Sequence, residues 1–314
     1  MNHKERKTMG RIEFKLRFAA VAVATAFALP GLGADGATVN AGGGAVDVKS
    51  AAAAMDAAME INMTGLRLLS DGKTADAMVK FREAIAVSPA CAPAAHNLAK
   101  LSMAVGNVAS AREVLERFVS ASPDDIQGRA LLAQAYALEG REDDARSVLS
   151  WLKSKGCARE LSDIAASFAT RRNYSIANES VDLALSVSPE DAQALYNKAA
   201  IVESMGDLKL AEKFYRKALG AHRDATTLIA LAALMEKSGD VKSAKALFEE
   251  AYATEVSPET QYNLGRFLFF VQNENERGLK MMMDAAKGDG FAAHSARKTL
   301  LALRKLARKE EASK

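Results

Sequence analysis

One phrase recurs along this chain and limits what it can become. Residues 72–89 read GKTADAMVKFREAIAVSP: a glycine, a helix-forming run with small Ala77, bulky Phe81 and small Ala84 on one face, then a Ser-Pro stop. The phrase returns as GNVASAREVLERFVSASP at 106–123, GREDDARSVLSWL at 140–152, GDLKLAEKFYRKAL at 206–219 and GDVKSAKALFEEAY at 239–252. Its leading glycines step by 34, 34, 66 and 33 residues, the 66 being two periods. A period near 34 marks an array of paired helices in which each unit stacks on its neighbours to bury its apolar face. The residue usage suits that outcome. It is rich in Ala, Leu, Lys and Glu, with 6% aromatics and six prolines that mostly fall at repeat ends.

Small residues keep the same step. Counting the first repeat from Ala58, the eighth positions are Gly65, Ala99, Ala133, Ala165, Ala199, Ala232 and Gly265. The twentieth positions are Ala77, Ala111, Ala145, Ala177, Ala211 and Ala244, with Gly278 one place late. Bulky Phe81, Leu115, Leu149, Val181, Tyr215 and Phe248 follow them. This pattern resembles the tetratricopeptide repeat (TPR), in which small residues at those two positions let the helices of a pair cross closely. The resemblance covers about 58–290. It implies an all-α fold: a right-handed α-α superhelix, a TPR solenoid of about seven helix pairs plus a C-terminal capping helix.

Some repeats depart from the pattern. Ser88-Pro89, Ser122-Pro123, Ser188-Pro189 and Ser257-Pro258 are read as repeat ends, because proline disfavours helical geometry in the residue before it. Repeat 3 closes instead on Lys155-Gly156-Cys157, and repeat 4 carries Arg172 where the turn glycine belongs. Repeat 7 has a longer turn and is similar to the Sel1-like repeat, with Ala285, Ala286 and then Gly288 or Gly290.

The two ends read differently. Residues 1–34 combine a basic stretch (Lys4, Arg6, Lys7, Arg11, Lys15, Arg17), the apolar run FAAVAVATAFAL and a small-residue exit at Gly33-Ala34. That is the layout of a cleaved secretory signal peptide, and the apolar run is too short to cross a bilayer. Export to a bacterial periplasm or the extracellular space is expected, with cleavage near residue 34. The segment contributes +4 to a net charge of +3, which leaves about −1 for the remainder. Charge therefore gives no reason to expect nucleic acid as a partner. Residues 35–46 read as a flexible linker, 47–290 as the solenoid, and 291–314 as a capping helix with a basic tail. Phe291, Leu300, Leu301, Leu303 and Leu306 supply the apolar residues of that helix. Arg297, Lys298, Arg304, Lys305, Arg308 and Lys309 offer a solvated face, or alternatively a peripheral contact with anionic lipid.

No catalytic constellation emerges, and the chain is read as a non-enzyme without cofactor. His3, His96, His222 and His294 lack partners at metal-ligand spacing, so no metal site is expected. Gly72-Lys73-Thr74 has Arg67 where a phosphate loop needs its first glycine. Cys91 and Cys157 each precede a helix A two repeats apart, too far for an intrachain bridge. They are read as buried small hydrophobes, with an intermolecular disulfide as the alternative.

What remains is a surface. In the TPR family the A helices line a groove that holds a peptide or partner helix. Carried onto this chain, that role falls on His96, Asn97 and Lys100 of repeat 2, Tyr196 and Asn197 of repeat 5, and Tyr262, Asn263, Arg266, Phe269 and Phe270 of repeat 7. The resemblance singles out Asn97, Asn197 and Asn263 as the polar contacts. Chaperone-tail TPR domains clamp a carboxylate with charged neighbours. Here the matching positions hold Asn62, Leu66, Gln127 and Leu131 around Asn97, and Ser162, Ala166, Thr226 and Ala230 around Asn197. A neutral or apolar protein partner is therefore expected, and the family resemblance implies a role in assembly of a bacterial envelope complex. A self-associating structural homo-oligomer is the alternative.

Overall fold

A computed structural model describes residues 48–312. The expected signal peptide and linker lie outside the described residues. Among the described residues there are fifteen α-helices and no strand. The chain divides into two compact units, Met1–Val187 and Ser188–Lys314.

The first unit holds four helix pairs: α1 (Val48–Ser70) with α2 (Thr74–Val87), α3 (Ala92–Ala104) with α4 (Val108–Ala121), α5 (Ile126–Leu138) with α6 (Glu142–Ser154), and α7 (Ala158–Thr170) with α8 (Tyr174–Val187). Each pair packs on itself, and successive first helices α1, α3, α5 and α7 pack on one another. The second unit repeats the plan with α9 (Ala192–Met205) and α10 (Leu208–Ala221), α11 (Ala225–Ser238) and α12 (Val241–Thr254), and α13 (Pro258–Phe267) and α14 (Asn275–Ala285). Its last helix, α15 (Gly290–Ala312), packs on α13 and α14. These are the helix pairs of a helical solenoid. Seven of them are present among the described residues, five of them carrying the recurring phrase.

The small-residue registers lie where the helices of a pair cross. Every alanine of the eighth and twentieth positions is fully buried, as are Phe81, Leu115, Leu149 and Val181. In repeat 1 the contact is close enough that a Cβ on Gly65 would lie 2.6 Å from the Phe81 ring. In repeat 7 it is backbone on backbone. A Cβ on Gly278 would lie 2.7 Å from the carbonyl oxygen of Gly265, and one on Gly265 would lie 2.9 Å from that of Gly278.

The turns within pairs need left-handed backbone, and glycine meets that need at 72, 106, 140, 206 and 239. Repeat 4 keeps the geometry without the residue: Arg172 sits at φ +63°. Repeat 7 reaches its turn through a π-helical segment, Leu268–Gln272, and then Asn273 at φ +58°. Three of the first helices are opened by a carboxylate. Asp125, Asp191 and Asp224 each accept a backbone N–H at the N-cap.

Two expectations are corrected. Ser257-Pro258 opens a helix rather than closing one. α12 already ends at Thr254, Ser257 forms a capping box with Thr260, and Pro258 is the first residue of α13. In α15 the inward face is made by small residues, Ala293, Ala296 and Thr299, flanked by Leu300 and Leu303. Phe291, Leu301 and Leu306 stay exposed. Arg297 turns back to donate to the carbonyls of Ala286 and Gly288 at the end of α14. No helix among the described residues is long and apolar enough to cross a membrane.

Candidate functional site

The A-helix face that the repeats present is stitched across repeats by side chains about one period apart. In the first unit Asn97 Nδ2 donates to Asn62 Oδ1 at 3.0 Å, and Asn62 is only 2% exposed. His96 Nε2 lies 2.9 Å from Asp125 Oδ1, and the imidazole stands edge-on to Phe118. Ser167 Oγ donates to Gln134 Oε1 at 3.4 Å, continuing the ladder between α5 and α7.

Charge on this face reflects its enclosure. Burial alone would push the Asp125 carboxyl up. Hydrogen bonds from His96 and from the Gly128 N–H outweigh it and hold the carboxyl below its ordinary range. Lys100 is an exposed residue, yet the surrounding protein partly desolvates its ammonium and lowers its pKa. Arg171 is lowered by the same cause while it donates to the backbone and hydroxyl of Ser167.

The second unit pairs its charges by the same offset. Arg266 on α13 forms a two-pronged bond to Glu236 on α11, the preceding first helix, with Nη1 to Oε1 at 3.0 Å. Lys237 Nζ lies 3.4 Å from Glu203 Oε1, and Glu203 also accepts from the Tyr215 hydroxyl at 3.1 Å. The Arg266–Glu236 pair is partly buried, whereas the Lys237–Glu203 pair lies at an exposed position. Tyr196 is half-buried against Tyr215, with ring centroids 5.7 Å apart. Asn197 is 7% exposed and accepts from Gln193 at 3.1 Å. Asn263 is 8% exposed and donates to the Glu259 carbonyl at 2.8 Å.

The predicted residues therefore occupy three kinds of place. His96, Asn97 and Arg266 serve the ladder between repeats. Tyr262 and Phe269 pack toward the terminal helix: the Tyr262 hydroxyl shares a hydrogen bond with Thr299 at 3.2 Å, and Phe269 joins the cluster of Met282, Ala285 and Ala296. Lys100 and Phe270 retain accessible surface, Phe270 edge-on to Phe269 at 4.9 Å. The resemblance places Glu203 on the groove face with Tyr196 and Asn197, whereas the partners Asp125, Glu236 and Lys237 were not anticipated. Their only signal was an offset of about one period between residues of opposite charge.

Both cysteines are buried N-cap residues. Burial pushes the Cys157 thiol up, with Glu160 adding to the effect. Among the described residues no three or more His, Cys, Asp or Glu side chains are grouped to hold a metal ion.

Three tetratricopeptide repeat models match the chain, over residues 68–135, 126–151 and 163–226. The last repeat, read as Sel1-like, lies beyond these matches. None of the curated proteins matches the chain. Among solved structures, a tetratricopeptide repeat protein from Parabacteroides merdae aligns at 17% identity over 77% of this chain and 97% of its own, with a TM-score of 0.47. PilF of Pseudomonas aeruginosa aligns at 18% identity over 76% and 92%, with a TM-score of 0.45. The human IFIT1 dimer, solved with PPP-AAAA, aligns at 16% over 81% of this chain and 65% of its own, with a TM-score of 0.50. At such identities the likeness is one of fold alone. Helix pairs with small residues at their crossings, and repeat models matched over residues 68–151 and 163–226, identify this chain as one that carries tetratricopeptide repeats.

Proposed function

We propose that this protein is an exported, non-catalytic scaffold that holds a protein partner against its A-helix face during assembly of a larger envelope complex. TPR arrays generally mediate protein–protein interaction, and that coarse role follows from the family. The finer reading rests chiefly on the pairing of charge on this face. Glu203 with Lys237, Glu236 with Arg266, and Asp125 with His96 are engaged 34, 30 and 29 residues apart, between neighbouring repeats. A carboxylate-terminated peptide would have to break such pairs to be clamped, at the cost of leaving a partly buried charge unpaired. A neutral or apolar surface, such as a partner's amphipathic helix, needs no such exchange. Half-buried Tyr196 and Phe270 offer the aromatic area that anchors contacts of this kind.

Export is supported by the arrangement of residues 1–34 alone. A net charge of about −1 beyond that segment supports a protein partner over a nucleic acid. The burial of both thiols argues against a disulfide-linked homo-oligomer. The test is capture of partners from cells with the intact protein and with Phe270→Ala and Asn263→Ala. The reading expects both variants to stay folded and lose the same partner. An unchanged partner set with both variants would overturn this contact region, and a concentration-dependent oligomer as the sole product would favour self-association.

A further inference from the structure

The first repeat carries a sulfur cluster for which the scaffold role has no use. Met55 and Met59 lie one turn apart on α1, and the tight loop Ser88–Cys91 faces them, closed by the Cys91 N–H donating to the Ser88 carbonyl at 3.0 Å. Each thioether meets one end of that loop. Met55 Sδ is 3.9 Å from Ser88 Oγ, and Met59 Sδ is 3.9 Å from Cys91 Sγ. Cys91 is fully buried with Ala58, Ala84 and Ala94, and Met55 packs on the same cluster. Met59 is 38% exposed, so the buried thiol has an approach from solvent through a flexible side chain.

We propose that Cys91 and Met59, with Met55 packed on the same cluster, form a binding site for a soft monovalent cation of the Cu(I) or Ag(I) class. Thiolate and thioether donors select such ions over hard ones. Two sulfurs sharing one metal at about 2.3 Å each, near a trigonal angle, lie about 4 Å apart, which the Cys91–Met59 distance already satisfies. Charge favours the same class. One thiolate neutralises one monovalent cation, whereas a divalent ion would leave an uncompensated charge among three alanines. Binding forms a sulfur–metal bond at Cys91, breaks its S–H bond and releases that proton to solvent, with no change in oxidation state. Cys157 is the internal control. It holds the same place in its repeat, but the preceding A helix presents Gln127 where α1 presents Met59.

The test is an anaerobic titration of the purified full chain with Cu(I) against a chromophoric Cu(I) chelator, with helix content checked by circular dichroism. One equivalent should bind. Cys91→Ser should weaken it by more than the 10–100-fold typical of losing an outer-shell partner, Met59→Leu should weaken it measurably, and Cys157→Ser should leave it unchanged. X-ray absorption of the loaded protein should show sulfur neighbours at about 2.3 Å. Equal affinity in folded Cys91→Ser, absence of binding, a nitrogen or oxygen shell, or equal preference for Zn(II) would each overturn the assignment.

Discussion

Asn97 and Asn62 are 35 residues apart in the chain and joined by one side-chain hydrogen bond of 3.0 Å, which ties helix α3 to helix α1. Removing the buried acceptor with Asn62→Ala strands the Asn97 amide. Stability should fall by about 1–3 kcal/mol, read as a lower denaturant midpoint at unchanged slope. A loss within error would mean the ladder contributes nothing to stacking.

The helix crossings predict a ranking. At Gly65 an added methyl meets the buried Phe81 ring, and at Gly278 it meets the main chain of Gly265 and Phe269. Gly65→Ala should cost about 1–3 kcal/mol by overpacking, and Gly278→Ala should cost more because backbone cannot rotate away. Thermal unfolding of the two variants gives the order directly.

Arg172 occupies left-handed backbone that glycine holds in most other repeats. Arg172→Gly should raise stability by up to about 1 kcal/mol by relieving that strain. Gly140→Ala should lower it, since φ there is +75°. An equal effect of both substitutions in one direction would contradict this account of the turns.

Acid should expose the His96–Asp125 contact. The folded carboxyl lies below its ordinary range, so it contributes stability above the unfolded value of about 3.9, and that contribution is lost as pH falls through the folded value. Asp125→Asn should therefore show a shallower loss of stability on acidification below about pH 4 than the parent. Chemical denaturation at a series of pH values measures it.

Much of the fold was legible because small residues have few alternative uses at fixed spacing. Ala111 and Ala145 could be placed at crossings from their register alone. Arg172 could be placed at a turn although the residue type argued against it. Ser257-Pro258 was misread because a Ser-Pro pair stops one helix or starts another with the same letters, and only the end of α12 at Thr254 decides between them. The terminal helix was misjudged for a related reason. Bulky Phe291, Leu301 and Leu306 drew attention, whereas close approach required Ala293 and Ala296. The candidate face was legible as a set of positions but not as a set of bonds. Pairs such as Glu236 with Arg266 depend on how neighbouring helices stack, and no local pattern encodes that angle.

Photo-crosslinking side chains placed one at a time at Lys100 and Phe270, and at Lys213, exposed on α10, would test the proposed grip most directly in living cells. The account predicts that Lys100 and Phe270 each capture a protein and that Lys213 does not. Capture of a protein from Lys213, with silent probes at the other two positions, would contradict it.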